Sequence, residues 1–515
     1  MTRRSNKTRR LPDVRQASLL TVEKTPTQRS AVQVVQFDRG DRQNLFIGAV
    51  PLDTYLDRGG LKWVLRFAEL LDDVDWSDFE ASYKPGGRPA LHPQMVVGII
   101  MYGLILKQPS LRQLESLALR DVGAWWLSGG LTPDHTTFTK FIQRHARLLS
   151  EDFFVQVTRR VVKGLGVSAG DLGLDGTVAE AMASTAQALK REALEKELKD
   201  AKESIDPERV EQLEAAGVAL TEREAAKKAA GKDPKTALVS PVEPEAVLQP
   251  QKNSEDFRLS YKPVVGVHAS GVIVGQALSP SSETACVTEV LTQHGQILDA
   301  VAETTLADSG FNTLEVLTLM LALSANALIP SGRSDNEGMN RKGTKGRFPK
   351  SAFVYDETTD TVLCPAGAVM RPRKAQPDRA GRMYREFRTP ACASCPLRER
   401  CKQPNAKARR LKRYVGEEMK DVMAQVLHQR AAREHYAKRS VIAEPAFARL
   451  REQGLGRFRR AGVKGARLEF ALLCTAHNLR LLLFARKGVV IVIATVRVPN
   501  APWRVAAVAI VKGRE

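Results

Sequence analysis

From residue 51 onward the chain carries apolar residues at helical spacing. Trp63, Val64, Phe67, Leu70 and Leu71 recur every three or four positions, as do Val96, Ile100 and Leu104, so helices are predicted through 51–164. Pro93 stands just before the second pattern, where its fixed φ and missing N–H suit a helix start. Ser110 and Asp134 are candidate N-caps. The run Asp134-His135-Thr136-Thr137 followed by Phe138, Phe141 and Ile142 predicts a turn feeding a second helix, which either lies in a groove or completes a plain helical bundle.

The period changes at Leu172. Leu172-Gly173-Leu174-Asp175-Gly176 is a short apolar run ending in an acid and a glycine, as when a buried strand delivers a carboxylate to a sheet edge. Residues 259–269 and 271–278 read as two strands joined near Ser270-Gly271. A helix is expected over 288–298, a strand over 300–306 ending at Asp308-Ser309-Gly310-Phe311, a helix over 313–323 and a strand over 327–329. This order fits a mixed sheet flanked by helices, an α/β fold class.

Three stretches depart from it. Residues 185–235 are rich in Ala, Glu and Lys, with opposite charges four apart such as Glu192 and Lys196, and predict a solvent-facing helical excursion. Residues 331–410 are basic, rich in Gly, Pro and Arg, and contain Cys364, Cys392, Cys395 and Cys401. From Tyr414 to Glu452 one helical pattern runs with Val422, Met423, Val426 and Leu427 on its apolar face and Pro445 as a kink. A core helix over 466–485 and a strand over 489–496 follow. The expected units are a flexible basic arm (1–35), a helical N-terminal domain (36–165), the first part of an α/β core (166–330, with the excursion 185–255), a basic Cys-containing insertion (331–410), the rest of the core (411–498) and a tail (499–515).

Charge then narrows the partner. The formal net charge is +20, from 78 basic and 58 acidic residues, and such an excess favours a polyanion through long-range attraction and counterion release. Six cysteines in 515 residues are no disulfide framework, so a reducing compartment is the default. The apolar stretches around 96–106 and 489–498 are shorter than the roughly 18 residues a bilayer span needs, so a protein without a membrane anchor is expected.

Phosphodiester chemistry requires an activated attacking oxygen and a stabilised leaving oxygen, and two Mg²⁺ ions roughly 4 Å apart provide both. Mg²⁺ keeps several waters, so two or three carboxylates suffice to hold it. Asp175 and Asp308 both end candidate strands and have a glycine within two residues, where a phosphate can approach closely. Glu444 lies in the long helical stretch among basic residues. Tyr436 and Arg439 share one side of it and Glu444 and Arg451 another, unless Pro445 bends the axis between them. Glu444 is thus a candidate metal ligand, Arg451 a phosphate contact, and Tyr436 and Arg439 contacts to the strand backbone. The competing reading is a surface salt-bridge network of Glu434, Lys438 and Glu444. For the cysteines, a tetrahedral Zn²⁺ site competes with reduced thiols packing a small insert.

These motifs resemble the DDE transposases of bacterial insertion sequences, specifically the IS1182 group of the IS4/IS5-like superfamily. Asp175-Gly176-Thr177 with Ala181 and Ser184 is similar to the first-acid motif, and Ala307-Asp308-Ser309-Gly310-Phe311 to the second. Tyr436, Arg439, Glu444, Pro445, Phe447 and Arg451, followed by Gly462, Glu469 and Asn478, resemble the signature around the third acid. Arg451 stands where that signature usually has lysine, which keeps the charge and changes a point contact to a fork. Ala446-Phe447-Ala448 replaces the more usual phenylalanine-glycine context. Arg88-Pro89-Ala90-Leu91-His92-Pro93, Tyr102-Gly103-Leu104 and Pro133 to Thr137 resemble the helical N-terminal domain of the group. Cys364-Pro365, Cys392, Cys395-Pro396 and Cys401 resemble its cysteine arrangement. The resemblance spans about residues 40–480, least closely over 185–255.

The resemblance implies an RNase H-like catalytic core with a mixed sheet, preceded by an all-helical N-terminal domain and interrupted by the basic insertion. It also implies Mg²⁺, two ions with Mn²⁺ as a substitute, held by Asp175, Asp308 and Glu444. The DNA partners are the double-stranded terminal inverted repeats and the target, with a homo-oligomer in the synaptic complex and a bacterial cytoplasmic, nucleoid-associated location. Two alternatives stay open: a non-catalytic DNA-binding derivative, and a metal-dependent nuclease without strand transfer.

Overall fold

Alternation along a single five-residue strand sets the geometry of the molecule. In the computed structural model, β1 (Leu172–Gly176) presents Leu172 and Leu174 to one face of a sheet and Gly173 and Asp175 to the other, the two-residue period of a strand. The structure describes residues 35–86, 88–251, 256–332, 347–378, 381–402 and 405–484, and the backbone of strands 489–496 and 505–512. All but the last residue of the arm expected at 1–35 lies outside the described residues.

Around β1 stand β2 (Phe257–His268), β3 (Ile273–Ser279), β4 (Thr305–Ala307) and β5 (Ala327–Leu328), in the spatial order β3-β2-β1-β4-β5. β1, β4 and β5 run parallel, with Leu174 beside Ala307 and Leu306 beside Leu328. β2 is antiparallel to both β1 and β3, and the β2–β3 hairpin turns through Gly271 at φ 86°. Short strands Ala179–Glu180 and Val247–Pro250 pair with the outer part of β2. The sheet is therefore mixed, as the element order predicted. The strand expected over 300–306 is confined to β4, with residues 303 and 304 still bonded to the entry of β1: Glu303 N–H donates to Gly170 O and Leu172 N–H to Thr304 O.

Glycines let helices approach both faces. Gly266 and Gly275, register partners on β2 and β3, lie under Val290 of the helix Val287–Leu298, and a Cβ on Gly275 would come within 2.4 Å of the Val290 carbonyl. On the opposite face a Cβ on Gly173 would meet Ile442 at 3.0 Å and Ala443 at 3.3 Å, both on the helix Arg439–Glu452. The helix Gly462–Leu483, buried over most of its length as its sequence predicted, packs on β3 and on the helix Asp152–Leu165. Its Asn478 accepts from Ile273 N–H and donates to Ile273 O and Thr158 Oγ1, so every polar group of a fully buried amide is used.

The N-terminal helices share this core instead of forming one of their own: Trp63, Phe67, Val96, Phe138 and Phe153 belong to the same apolar cluster as Leu172, Val290 and Leu473. The helix Pro93–Ile105 is buried at every residue, with Pro93 in its first turn, and Ser110 and Asp134 cap the helices they precede. This region is not wholly helical. Phe37–Asp38 pairs with Ala90–Leu91, and Phe46–Ile47 with Val50–Pro51, because an extended entry segment needs partners for its backbone groups.

The excursion forms two antiparallel-packed helices, Arg191–Glu203 and Pro207–Ala229, around a small core of Leu194, Leu213, Ala216, Leu220 and Val239. It leaves and rejoins the body at one point, where Leu189 and Val239 exchange backbone hydrogen bonds. Arg191–Glu224, Arg209–Glu197 and Lys202–Glu214 join the two helices, so cross-helix ion pairs join the within-helix kind expected.

The basic stretch after residue 347 is ordered as strands, which its composition concealed. Val354–Asp356, Thr361–Leu363, Val369–Pro372, Gln376–Pro377, Met383–Arg388 and Leu411–Tyr414 make an antiparallel sheet over a core of Phe353, Val362, Met370, Phe387 and Leu411. The single helix expected over 414–452 is three: Glu418–His428, Arg430–Tyr436 and Arg439–Glu452. Gln429 adopts an extended conformation at the first break, and Pro445 sits inside the third helix. Met423, Val426 and Leu427 pack on the core while Val422 faces solvent. Strand 489–496 forms where expected and pairs with 505–512 of the tail.

Candidate active site

Asp175 is the fourth residue of β1 and Asp308 directly follows β4. Because these strands are parallel and Ala307 is level with Leu174, the two acids emerge side by side at the same end of the sheet. Asp308 caps the turn Ser309–Phe311, its Oδ1 accepting from Gly310 N–H at 2.7 Å. Asp175 faces the helix Arg439–Glu452, since it shares the Gly173 face. The parallel pairing thus brings together two acids far apart in the sequence.

That helix carries the rest. Ile442, Ala443, Ala446, Phe447 and Leu450 bury its inner face, which leaves Glu444 at the rim with a side chain 62% exposed. Arg439, in the first turn, points inward: Nη1 lies 3.4 Å from Asp175 Oδ1 and Nη2 lies 4.0 Å from Glu444 Oε1. One guanidinium therefore links the acid of the sheet to the acid of the helix. The alternative network of Glu434, Lys438 and Glu444 does not form, because Glu434 pairs with Arg430 and Lys438 approaches Asp171. Tyr436 ends the preceding helix, half-buried beside Arg439, and His435 of the same helix holds Asp171 at the start of β1 at 2.8 Å. Arg451 donates to Thr177 Oγ1 at 2.8 Å, two residues beyond Asp175. Glu469 and Asn478, also part of the signature, act elsewhere: Glu469 accepts from Arg459, and Asn478 pins β3.

Burial pushes the Asp175 carboxyl up to about 6, opposed by Arg439 and reinforced by the negative charges of Asp308 and Glu444. Burial likewise raises the Tyr436 phenol, against the pull of Arg439. The arrangement is a partly dehydrated group of acids with too little positive charge nearby, the electrostatic condition under which a cation is attracted.

A fourth acid escaped the sequence reading. Glu283 precedes the turn Thr284–Cys286, and its carboxylate lies across Gly176 and beside Gly310, paired with Lys262 Nζ at 3.1 Å. The only local signal was a glycine after each strand-end acid, which reads equally well as room for a ligand.

The cysteines also converge. Cys364, Cys392, Cys395 and Cys401 all line one cavity of about 220 Å³ at the edge of the second sheet. Two of them open similar tight turns: Gly367 N–H donates to Cys364 O and Arg398 N–H to Cys395 O. Burial raises the Cys401 thiol, with the other three cysteines acting in the same direction and Arg409 opposing. Cys286 and Cys474 are buried elsewhere, as their apolar surroundings predicted. On the last two strands of this sheet several basic side chains are engaged. Arg413 and Lys412 sit over the rings of Tyr355 and Tyr384, and Arg385 and Arg388 pair with Asp360 and Glu386. Tyr384 is itself buried.

Among the described residues, no group of three or more His, Cys, Asp and Glu side chains is already drawn together as a metal would draw them. The donor chemistry fits nonetheless: hard carboxylates at the sheet end suit Mg²⁺, and thiolates suit Zn²⁺. Nor, among the described residues, is any helix long and apolar enough to cross a membrane.

Residues 63–144 match the family model "Transposase domain (DUF772)" and residues 363–483 match "Transposase DDE domain". Both matched models are transposase domains, the second of the DDE type, and they support a transposase role for the chain. Their combination is consistent with the IS1182-like group of insertion sequences. No curated protein matches the chain. The second match contains Glu444, Tyr436, Arg439, Arg451 and all four clustered cysteines. Residues 145–362, with Asp175 and Asp308, are covered by neither.

Proposed function

We propose that the chain cuts and joins DNA at the terminal inverted repeats of an insertion sequence, using Asp175, Asp308 and Glu444 to hold two divalent cations on an RNase H-like core. The reading is supported above all by one observation: Asp175 and Asp308 emerge side by side from adjacent parallel strands, and Asp175 shares a single arginine, Arg439, with Glu444 on the covering helix. When bound, Mg²⁺ or Mn²⁺ supplies activation of the attacking oxygen and stabilisation of the leaving oxygen. Asp175 and Asp308 hold the cations from the sheet and Glu444 from its exposed position on the helix. Arg439 balances Asp175 and Glu444, Arg451 offers its fork to a phosphate beside Thr177, and Tyr436 shields the buried side of the cluster.

In this reaction, water adds across a phosphodiester bond at the element's end and frees a 3′-hydroxyl. That oxygen then attacks a target phosphorus and displaces a target 3′-oxygen, so the number of phosphodiester bonds is unchanged in the second step. No covalent bond to the protein is formed. The helical region 36–165 binds DNA and assists assembly, residues 166–330 and 411–498 build the catalytic core, and 331–410 is an insertion that grips the DNA backbone. The cysteines Cys364, Cys392, Cys395 and Cys401 bind one Zn²⁺ that braces the insertion, a role supported by their common cavity and paired turns. Double-stranded DNA, a second copy of the chain in the synaptic complex and a cytoplasmic location in the bacterial cell complete the proposal.

The test is incubation of the full chain with DNA carrying the element's ends and Mg²⁺. Cutting is expected, with Asp175→Asn lowering it by about 1,000-fold or more, equivalent to about 4 kcal/mol of transition-state stabilisation, while DNA binding survives. Undiminished cutting by the variant removes Asp175 from the mechanism. Cutting without joined products leaves a nuclease, and binding without cutting leaves a DNA-binding derivative.

A further inference from the structure

Gly176 and Gly310 follow the two sheet acids, and in the folded chain the space beside both is taken by one side chain. A Cβ on Gly176 would lie 2.8 Å from Cγ and Cδ of Glu283, and one on Gly310 would lie 3.7 Å from Glu283 Oε2 and 3.0 Å from Asp308 Oδ1. Glu283 and Asp308 therefore converge on the same point at the sheet end. Glu283 arrives from the opposite face to Asp175, because Gly176 belongs to the face covered by the helix Val287–Leu298. Its partner is Lys262 of β2, at 3.1 Å, and the two side chains are only 21% and 26% exposed. An ion pair this far out of water is weak evidence for stability, since desolvation offsets most of its attraction. Its placement against both glycines is better explained by the cation site it borders.

We propose that Glu283 is a fourth carboxylate of the cation site, binding the ion on the Asp308 side directly or through one of its waters, and that Lys262 holds it in place until the cation arrives. The proposal rests on the assignment of Asp175 and Asp308 as cation ligands. It gives Gly176 a purpose: a Cβ there would stand 2.8 Å from the Glu283 side chain and displace its carboxylate, whereas one on Gly310 would only touch it. Lys262 and the cation compete for the same oxygens, so the two partners of the ion pair should act in opposite directions on metal affinity. A pair that merely braces the turn cannot do this.

The experiment uses the full-length chain and follows two readouts against Mg²⁺ concentration: the Mg²⁺-induced rise in Tm without DNA, and cleavage of end-bearing DNA. Glu283→Gln is expected to raise the half-saturating Mg²⁺ concentration about tenfold or more in both, the scale of losses seen when groups supporting metal ligands are removed, with DNA binding in the absence of metal unchanged. Lys262→Met is expected to lower that concentration. If Glu283→Gln saturates as the parent does, or if both variants lower metal-free Tm alike without moving the Mg²⁺ dependence, the pair is structural and the proposal is overturned. Asp175→Asn separates the two levels. Should it retain the parent's Mg²⁺ response, the assignment of the site itself fails; should it lose that response while Glu283→Gln keeps it, only the role of Glu283 falls.

Discussion

The sheet that carries the acids and the sheet that carries the cysteines solve opposite problems. The first is covered by helices on both faces and shares one apolar cluster with the N-terminal helices, so its fold is held without help from its charged end. Acids can therefore stand there in mutual repulsion and partial dehydration. The second rests on a cluster whose buried members are Phe353, Val362, Met370, Phe387 and Leu411, with Cys364 and Cys401 packed against it. A core of that size does not offset the chain entropy of an independent sheet, and small units of this kind are commonly braced by a metal or disulfide. If the cysteines hold the proposed zinc, chemistry costs stability in the first region and contributes it in the second.

Replacing a cysteine should expose this difference most strongly. Cys395→Ser is expected to remove bound zinc, measured by elemental analysis, and to abolish hydrogen-exchange protection across 347–402 and 405–414 while leaving β1 and β2 protected. Equal loss in both sheets, or none in either, would erase the distinction drawn here. Next in size, Leu174→Ala should destabilise the acid-bearing sheet by about 2–5 kcal/mol in denaturant unfolding, because a fully buried leucine leaves a cavity. The same substitution should leave zinc content unchanged.

The smallest effect has the opposite sign. The Asp175 carboxyl sits at about 6 in the folded chain against an ordinary 3.8, so the native state holds its proton more tightly than the unfolded chain does. Ionisation then costs folding free energy, from nothing below about pH 4 to a plateau above about pH 6, with an upper bound of about 3 kcal/mol. Asp175→Asn in metal-free protein is expected to raise Tm at pH 7 and to lose this advantage at pH 4. A Tm lowered by the substitution at both pH values would mean that the acid is part of the scaffold.

Much of the architecture was readable from local pattern. The spacing of Trp63, Phe67 and Leu70, the capping residues Ser110 and Asp134, and the Ser270-Gly271 turn predicted elements that the structure contains. The strands of the cysteine-bearing region were missed because their exposed faces are rich in arginine and their buried positions are few. One helix was expected where there are three, since apolar period persists across a break made by backbone geometry at Gln429.

For the site, sequence determined which groups stand at strand ends: an acid after a short apolar run, followed closely by glycine, describes Asp175 and Asp308 without reference to any fold. Only the tertiary structure decided that these ends are level, that Arg439 turns inward to join Asp175 to Glu444, and that Glu283 crosses Gly176. The physical reason is that local pattern reports which way a side chain faces relative to its own element. Distances between charges depend on strand register and on how closely a helix approaches the sheet, and those are set by contacts between residues more than a hundred positions apart.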